Sequence, residues 1–182
     1  MAYSDAAMLQ IHLEEISSAT SEETVAHARE LLLEYGRFVL AQQGVGRFCF
    51  GSLEKEAAGL PASYREQGGG CLIAFAYDAP AGFVAWRALP VAVTPGACEL
   101  KRLWVRPASR GLELGRTLTL AVLDRARGAG CEAVYLDTDP VSMAAAHHIY
   151  LKLGFELCAA YNNEPVERLA YLRKDLLRGL VP

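Results

Sequence analysis

The chain lacks most of the features that announce a membrane-bound, secreted or metal-holding protein. No apolar run approaches the ~20 residues that span a bilayer. The opening MAYSDAAMLQIHLEE has neither a basic start nor an apolar core, so a secretory signal is not expected. Cysteine is sparse and odd in number: Cys49, Cys71, Cys98, Cys131 and Cys158, none of them in a C-x-x-C pair. All lie in or beside apolar, strand-like runs, which argues against a disulfide framework or a zinc set. They read as small buried hydrophobes in a reducing cytosol, and a cytoplasmic location is the expectation. His147 and His148 are adjacent, so on a helix they point about 100° apart, and no carboxylate or cysteine pair completes a set; no metal is expected. Charge is also low. Only 21% of residues are charged and the formal net charge is −3, which argues against a nucleic-acid or anionic-membrane partner. There is no internal repeat, low-complexity segment or linker.

What is present is an ordinary globular composition, 52% hydrophobic over 182 residues, enough for one well-cored domain spanning residues 1–182. Ser21-Glu-Glu-Thr opens a helix that carries Val25, Ala28, Leu32, Tyr35 and Val39 at helical spacing and ends at Gly44 and Gly46. Arg47 to Gly51 reads as a strand or buried link, and Leu53 to Leu60 as a short helix stopped by Pro61. After the break at Gly68-Gly-Gly, Cys71 to Asp78 is a strand, Ala79-Pro-Ala-Gly a turn, and Phe83 to Leu89 a second strand. A third begins at Ala97, completing an antiparallel meander. Residues 115–128 form a helix on a Leu118, Val122, Leu123, Ala126 stripe, and Cys131 to Thr138 is a further strand. Strand, helix and strand with short links imply a parallel pair joined by a right-handed crossover. Ser142 is placed to cap a helix running to Leu153, and Phe155–Tyr161 and Val166–Leu172 read as two last strands around Asn162-Asn-Glu-Pro.

Residues 99 to 118 draw the pattern together. Lys101, Arg102, Arg106, Arg110 and Arg116 stand there against Glu99 and Glu113, a local balance of +3 in an acidic chain. A strand, a turn at Arg110-Gly111 and a helix N-terminus follow one another, the arrangement that presents backbone N–H groups to an anion. Such a basic spot suggests a phosphate-bearing ligand. Two familiar phosphate loops do not fit. The turn is one residue short of a P-loop and has Arg116 where a lysine would follow, and no G-x-G-x-x-G exists.

Leu100-Lys-Arg-Leu-Trp-Val-Arg-Pro-x-x-Arg-Gly-x-x-x-Gly-Arg, the strand ending in Leu136-Asp-Thr, and Ile149-Tyr-Leu-Lys-Leu-Gly-Phe together resemble the GNAT superfamily of N-acetyltransferases over about residues 70 to 176. The likeness extends to small bacterial members with a Cys-Glu-x-Lys-Arg-Leu strand, here Cys98 to Leu103. It implies a single α/β domain of the α+β type, with a mixed, mostly antiparallel sheet flanked by helices and splayed at an acetyl-CoA site. The implied reaction is acetyl transfer from acetyl-CoA, as donor co-substrate, to the primary amine of a small molecule or peptide. The resemblance also admits a homodimer.

The roles that follow are those the resemblance implies. The turn Arg110, Gly111, Leu112, Glu113, Leu114, Gly115 and Arg116 would hold the pyrophosphate on its amides. Glu113 stands where the family's turn has its first glycine, a departure that restricts backbone approach and sets a carboxylate near the anion. Leu103, Trp104 and Val105 would flank the pantetheine arm, which binds as an added strand along the backbone of Leu103 and Val105. Thr138 belongs with the same cofactor-binding set. Glu99 falls where relatives place a general base, since an amine of pKa ~10 must lose a proton before attack; its competing role is an ion pair with Lys101. Tyr150 matches a tyrosine that protonates the departing thiolate, with a core tyrosine as the alternative. Phe48, Phe50, Tyr161, Asn162 and Asn163 would line the acceptor pocket, while Trp86 reads as packing. The rival functions are an acyl-CoA or anion sensor without turnover, and transfer of a different acyl group.

Overall fold

A computed structural model describes residues 10–42, 50–91, 94–162 and 166–177. Strand β1 is Ile11–Glu15, followed by helices α1 (Glu22–Ala41), α2 (Phe50–Ala58) and the single turn α3 (Ala62–Arg65). Strands β2 (Gly70–Ala76), β3 (Ala79–Ala88) and β4 (Ala97–Val105) come next, then α4 (Leu114–Gly128), β5 (Ala133–Thr138), α5 (Ala144–Lys152), β6 (Glu156–Leu157) and β7 (Ala170–Asp175). The sheet has seven strands in the order β1-β2-β3-β4-β5-β7-β6. Every neighbouring pair is antiparallel except β4 and β5, which are parallel.

Both faces of the sheet are covered, and the period-2 alternation of the strands sorts side chains between them. Leu72, Ala74, Val84, Leu100 and Leu103 pack with Leu114, Leu118, Val122 and Leu123 of α4 and Tyr150 of α5. On the other face Cys71, Ile73, Phe75, Phe83 and Trp104 meet Val25, Ala28, Leu31 and Leu32 of α1, with Leu53 and Ala57 of α2. This double cover is why β2 reads as an unbroken apolar run rather than an alternating one. Trp86 belongs to the core, as expected, with Gly70 so close that an added Cβ would stand 2.8 Å from its ring. Helix α1 starts where its capping residue says it should: Ser21 Oγ accepts from Thr24 N at 3.1 Å, a contact generally worth about 1 kcal/mol.

Several boundaries differ from the sequence reading. The hairpin between β2 and β3 turns at Tyr77-Asp78, both with positive φ (51° and 61°), and Ala79-Pro-Ala-Gly lies in β3. A two-residue turn of that hand matches strand twist, and this outweighs the turn propensity of the later Pro-Gly segment. Ser142 does not cap α5. Met143 holds that position without a side-chain bond, and Asp139 Oδ1 accepts from Val141 N and Ser142 N instead. The last two strands are shorter and later than expected. Strand β1 alternates apolar and polar residues only from Ile11 to Glu14, too short a run to mark it in the sequence. Of Arg47–Gly51, residues 47–49 lie outside the described part, and α2 takes in the rest.

Two irregularities in β4 position the site. First, Ala85 pairs with Lys101 but Phe83 pairs with Trp104, so Arg102 and Leu103 together oppose Val84. This is a β-bulge, and Arg102 takes the left-handed backbone (φ 61°) to make it. Glu99 and Lys101 thereby face the α1/α2 side, while Leu103 and Val105 face α4. Second, β4 and β5 pair only at Ala97–Ala133, Cys98–Val134 and Glu99–Tyr135. Beyond Glu99 the two strands part, while β5 stays paired with β7 through Thr138.

Candidate active site

The parting opens into three cavities that share walls. A groove of about 270 Å³ on the α4 face runs between Leu103, Trp104 and Val105 of β4, the turn residues Arg110, Gly111, Glu113, Leu114 and Gly115, and α5 at Ala145, Ala146 and Ile149. Leu103 and Met143 continue into a narrow chamber of about 30 Å³ that also holds Tyr35, Asp137, Thr138 and Tyr150. Lys101 and Asp137 then form a wall common to that chamber and a basin of about 240 Å³, lined further by Arg87, Leu89, Glu99, Tyr161 and Asn162. The three lie in succession across the sheet, each sharing wall residues with the next.

The groove mouth is an unfinished helix N-terminus. Glu113 is the N-cap of α4, in the left-handed region (φ 59°, ψ 11°), and its side chain makes no capping bond. The helix ladder begins with Thr117 N to Glu113 O at 3.0 Å, so the amides of Leu114, Gly115 and Arg116 precede it. The backbone angle explains why a glycine suits this position, since φ near +60° disfavours any residue with a Cβ. Glu113 itself is exposed and forms no ion pair among the described residues. Gly115 is buried where a Cβ would come within 3.0 Å of Ile149 Cδ1, so its small size lets α4 close on α5. Arg116 points to solvent and Leu112 packs on the core, so neither side chain lines the groove.

The basic stretch is mostly spent within the protein, contrary to the sequence reading. Lys101 pairs with Glu99 at 3.3 Å, Arg102 with Glu56 at 3.1 Å, and Arg106 with Glu34 at 2.8 Å and Glu30 at 2.9 Å. The acids that hold Arg102 and Arg106 come from α1 and α2, too far along the chain for a local charge count to register. Arg110 lies over the Trp104 ring, 5.6 Å from its centroid, beside the groove.

In the chamber, Tyr150 is buried beside Phe155 in an edge-on contact, and burial pushes its phenol well above the ordinary value, so it stays protonated at neutral pH. Thr138 is 5% exposed, and its hydroxyl has no hydrogen-bond partner among the described residues. A buried hydroxyl left unpaired costs about 1–3 kcal/mol, so this atom fits a site completed by a polar group of a ligand. In the basin, Glu99 is 3% exposed. It accepts from Arg87 Nε at 2.7 Å, Tyr161 Oη at 2.9 Å and Lys101 Nζ at 3.3 Å. Burial alone would raise its pKa, but Lys101, Arg87 and the Tyr161 hydrogen bond outweigh it and hold the carboxyl below its usual range. Asp137 moves the other way: burial raises it, with Lys101 only partly offsetting that.

Of the residues named from sequence, Leu103, Trp104, Val105, Arg110, Gly111, Glu113, Leu114 and Gly115 meet in the groove. Thr138 and Tyr150 meet in the chamber, and Glu99, Tyr161 and Asn162 in the basin. Phe48 and Asn163 lie outside the described residues, and of Phe50 only the backbone is described. Sequence reasoning missed Asp137, Tyr35 and Lys101 as cavity walls. Asp137 lay inside the Leu-Asp-Thr segment, but nothing in the sequence revealed that pairing with β4 stops two residues before it. Among the described residues no three His, Cys, Asp or Glu side chains gather as metal ligands, and no helix is long and apolar enough to cross a membrane.

A mixed, mostly antiparallel sheet flanked by helices is a fold shared with solved acetyltransferases. An acetyltransferase of the GNAT family from Staphylococcus aureus Mu50 superposes with a TM-score of 0.70 at 16% identity, covering 92% of this chain and 99% of that one. A structure from Salmonella typhimurium that holds acetyl-CoA as its cofactor gives 0.68 at 18% identity, covering 94% and 97%. At these identities the likeness is one of fold. The sequence profile of the acetyltransferase (GNAT) family matches residues 46–155, more than half of the chain. The protein belongs to that family. An uncharacterised N-acetyltransferase of Schizosaccharomyces pombe is 35% identical over 82 residues, 45% of this chain and 50% of that protein. The chain thus spans about half the length or less of the curated relatives it matches.

Proposed function

We propose that this protein is an acetyl-CoA-dependent N-acetyltransferase that passes the acetyl group directly to a primary amine of a small molecule or peptide. The observation that carries this is the parting of β4 and β5, beside which lie a groove bearing a helix N-terminus and, beyond one small chamber that shares walls with both, a polar basin. Family membership supplies the reaction class.

Acetyl-CoA, when bound, brings a thioester whose carbonyl carbon is the electrophile. The amides of Leu114, Gly115 and Arg116 suit a pyrophosphate, the unpaired β4 edge at Leu103 and Val105 suits the amide groups of the pantetheine arm, and Thr138 Oγ1 is left to bond a polar atom in the chamber. Tyr150, kept protonated by burial and lining the chamber, would give its proton to the departing sulfur. The acceptor amine belongs in the basin, where two carboxylates lie.

Titration calorimetry with acetyl-CoA, followed by thiol release against a panel of amines (spermidine, L-lysine and an unblocked peptide), tests the proposal. Acetyl-CoA binding with amine-dependent thiol release is expected. Binding with no release from any amine favours the sensor reading, stronger binding of a longer acyl-CoA favours transfer of another acyl group, and no binding of any acyl-CoA rejects all three.

A further inference from the structure

We propose that Asp137, at the point where β5 leaves β4, is the carboxylate that takes the proton from the acceptor amine, and that Glu99 is a positioning residue. This rests on the transferase reading above. Asp137 lies one alternating step beyond the last β4–β5 pair, Glu99–Tyr135, so it stands on the same face as Tyr135, paired with β7 on one side and bordering the gap on the other. It is one of two residues lining both the inner chamber and the basin, the other being Lys101. A group placed there reaches both the end of the donor path and the acceptor.

The two carboxylates differ in what already holds them. Glu99 is bonded by three donors, so accepting a proton would cost it contacts with Arg87, Lys101 or Tyr161. Asp137 forms no ion pair among the described residues, and its carboxylate meets its own backbone amide. The ionisable groups around it are Glu99, Lys101 and Arg102 on β4, Tyr35 on α1, Tyr150 on α5, Tyr161 beyond β6, and Tyr171, its partner across β7. Burial raises Asp137, which makes it a stronger base once ionised and brings it nearer the working pH. The Glu99–Arg87–Tyr161 cluster then fixes the basin wall and Lys101 beside it.

The step balances as follows. Asp137 takes one proton from the ammonium form of the acceptor. The neutral nitrogen forms the C–N bond to the acetyl carbon, and the C–S bond breaks with its electron pair going to sulfur. The remaining excess N–H proton reaches sulfur by way of Tyr150, and the proton on Asp137 passes to solvent through the basin.

The test compares wild type, Asp137→Asn and Glu99→Gln in thiol release from acetyl-CoA with the amine panel across pH. Asp137→Asn should lose about 10²–10⁴-fold in kcat, the span of general base catalysis, with unchanged acetyl-CoA affinity and no acid limb in its pH profile. Glu99→Gln should lose less and keep that limb. Formate should partly restore Asp137→Ala, which a merely structural role would not allow. An Asp137→Asn kcat within twofold of wild type with the acid limb intact overturns the proposal, as does an acid limb lost only in Glu99→Gln. If acetyl-CoA binds but no amine in the panel reacts, ¹³C NMR titration of Asp137 in the loaded protein decides, and a carboxyl at or below the ordinary aspartate value overturns it. Absence of acetyl-CoA binding to wild type is a separate result that rejects the transferase reading itself.

Discussion

Glu113 holds a left-handed backbone at the start of α4 without using its side chain to cap the helix. That conformation costs an L-residue about 1–2 kcal/mol, against roughly 0.5–1 kcal/mol for the greater freedom of an unfolded glycine. Glu113→Gly should therefore stabilise the protein by about 0.5–1 kcal/mol in urea unfolding. It should also tighten acetyl-CoA binding in calorimetry, because a carboxylate leaves the anion's entrance. A loss of stability would mean the backbone angle is not the strained feature. Glu99 carries the opposite kind of prediction. Its folded carboxyl sits below the ordinary glutamate value of about 4.3, so its stabilising contribution is complete above that pH and is lost as pH falls through the folded value. Asp137, raised, runs the other way: keeping it charged costs stability above its ordinary value, and the cost disappears as it protonates. Glu99→Gln strands Arg87 and Lys101, a loss of about 3 kcal/mol at neutral pH, and should flatten the fall in stability as pH drops below the ordinary glutamate range. Urea midpoints measured across that range would show it; a pH-independent loss would argue against the ion pairs. At this scale the sequence was half legible. Glu113 stood out because a motif had a glycine there, and the Glu99–Lys101 pair followed from their spacing on one strand, whereas the partners of Arg102 and Arg106 sit on distant α1 and α2 residues that no local pattern connects.

Among the elements, α4 and α5 meet at Gly115 and Ile149. Gly115→Ala should cost about 1 kcal/mol by overpacking, and Ile149→Val, which removes the Cδ1 that the new methyl meets, should relieve most of it. A double-mutant cycle by chemical denaturation measures this coupling, and simple additivity would mean the helices adjust independently. Long, periodic elements such as α1 and α4 were legible because their apolar spacing is regular, joined in α1 by the Ser21 cap. The meander and the parallel pair were legible through their short links. Other features were not. The Tyr77-Asp78 turn depends on strand twist, and the Asp139 loop before α5 displaces an equally plausible Ser142 cap. The bulge at Arg102 arises from a pairing choice that no single strand encodes.

For the whole molecule, a ligand that fills the gap between β4 and β5 should be felt as global stability. Acetyl-CoA at 100 times its Kd should add about 2.7 kcal/mol, and for a domain of this size each kcal/mol moves the melting temperature by about 2–4 °C. A shift of roughly 5–10 °C in differential scanning calorimetry is expected, and an unmoved melting temperature under saturating acetyl-CoA would count against binding in the gap. The family fold was readable from the scattered motifs, because they fall on the elements that build the parting.

The bulge gives β4 an inheritance rule. Upstream of Arg102 the strand hands Glu99 and Lys101 to one side of the sheet, and downstream it hands Leu103 and Val105 to the other. Substitutions on either side can drift independently, each retuning one compartment. A change of length cannot. A one-residue insertion or deletion with the bulge kept would flip every side chain beyond it to the other layer, because alternation counts residues and ignores their chemistry, whereas losing Arg102 itself would only straighten the strand and leave Leu103 and Val105 on the α4 side. Among variants of this chain, the segment from Glu99 to Val105 is where spelling is free to vary and letter count is not.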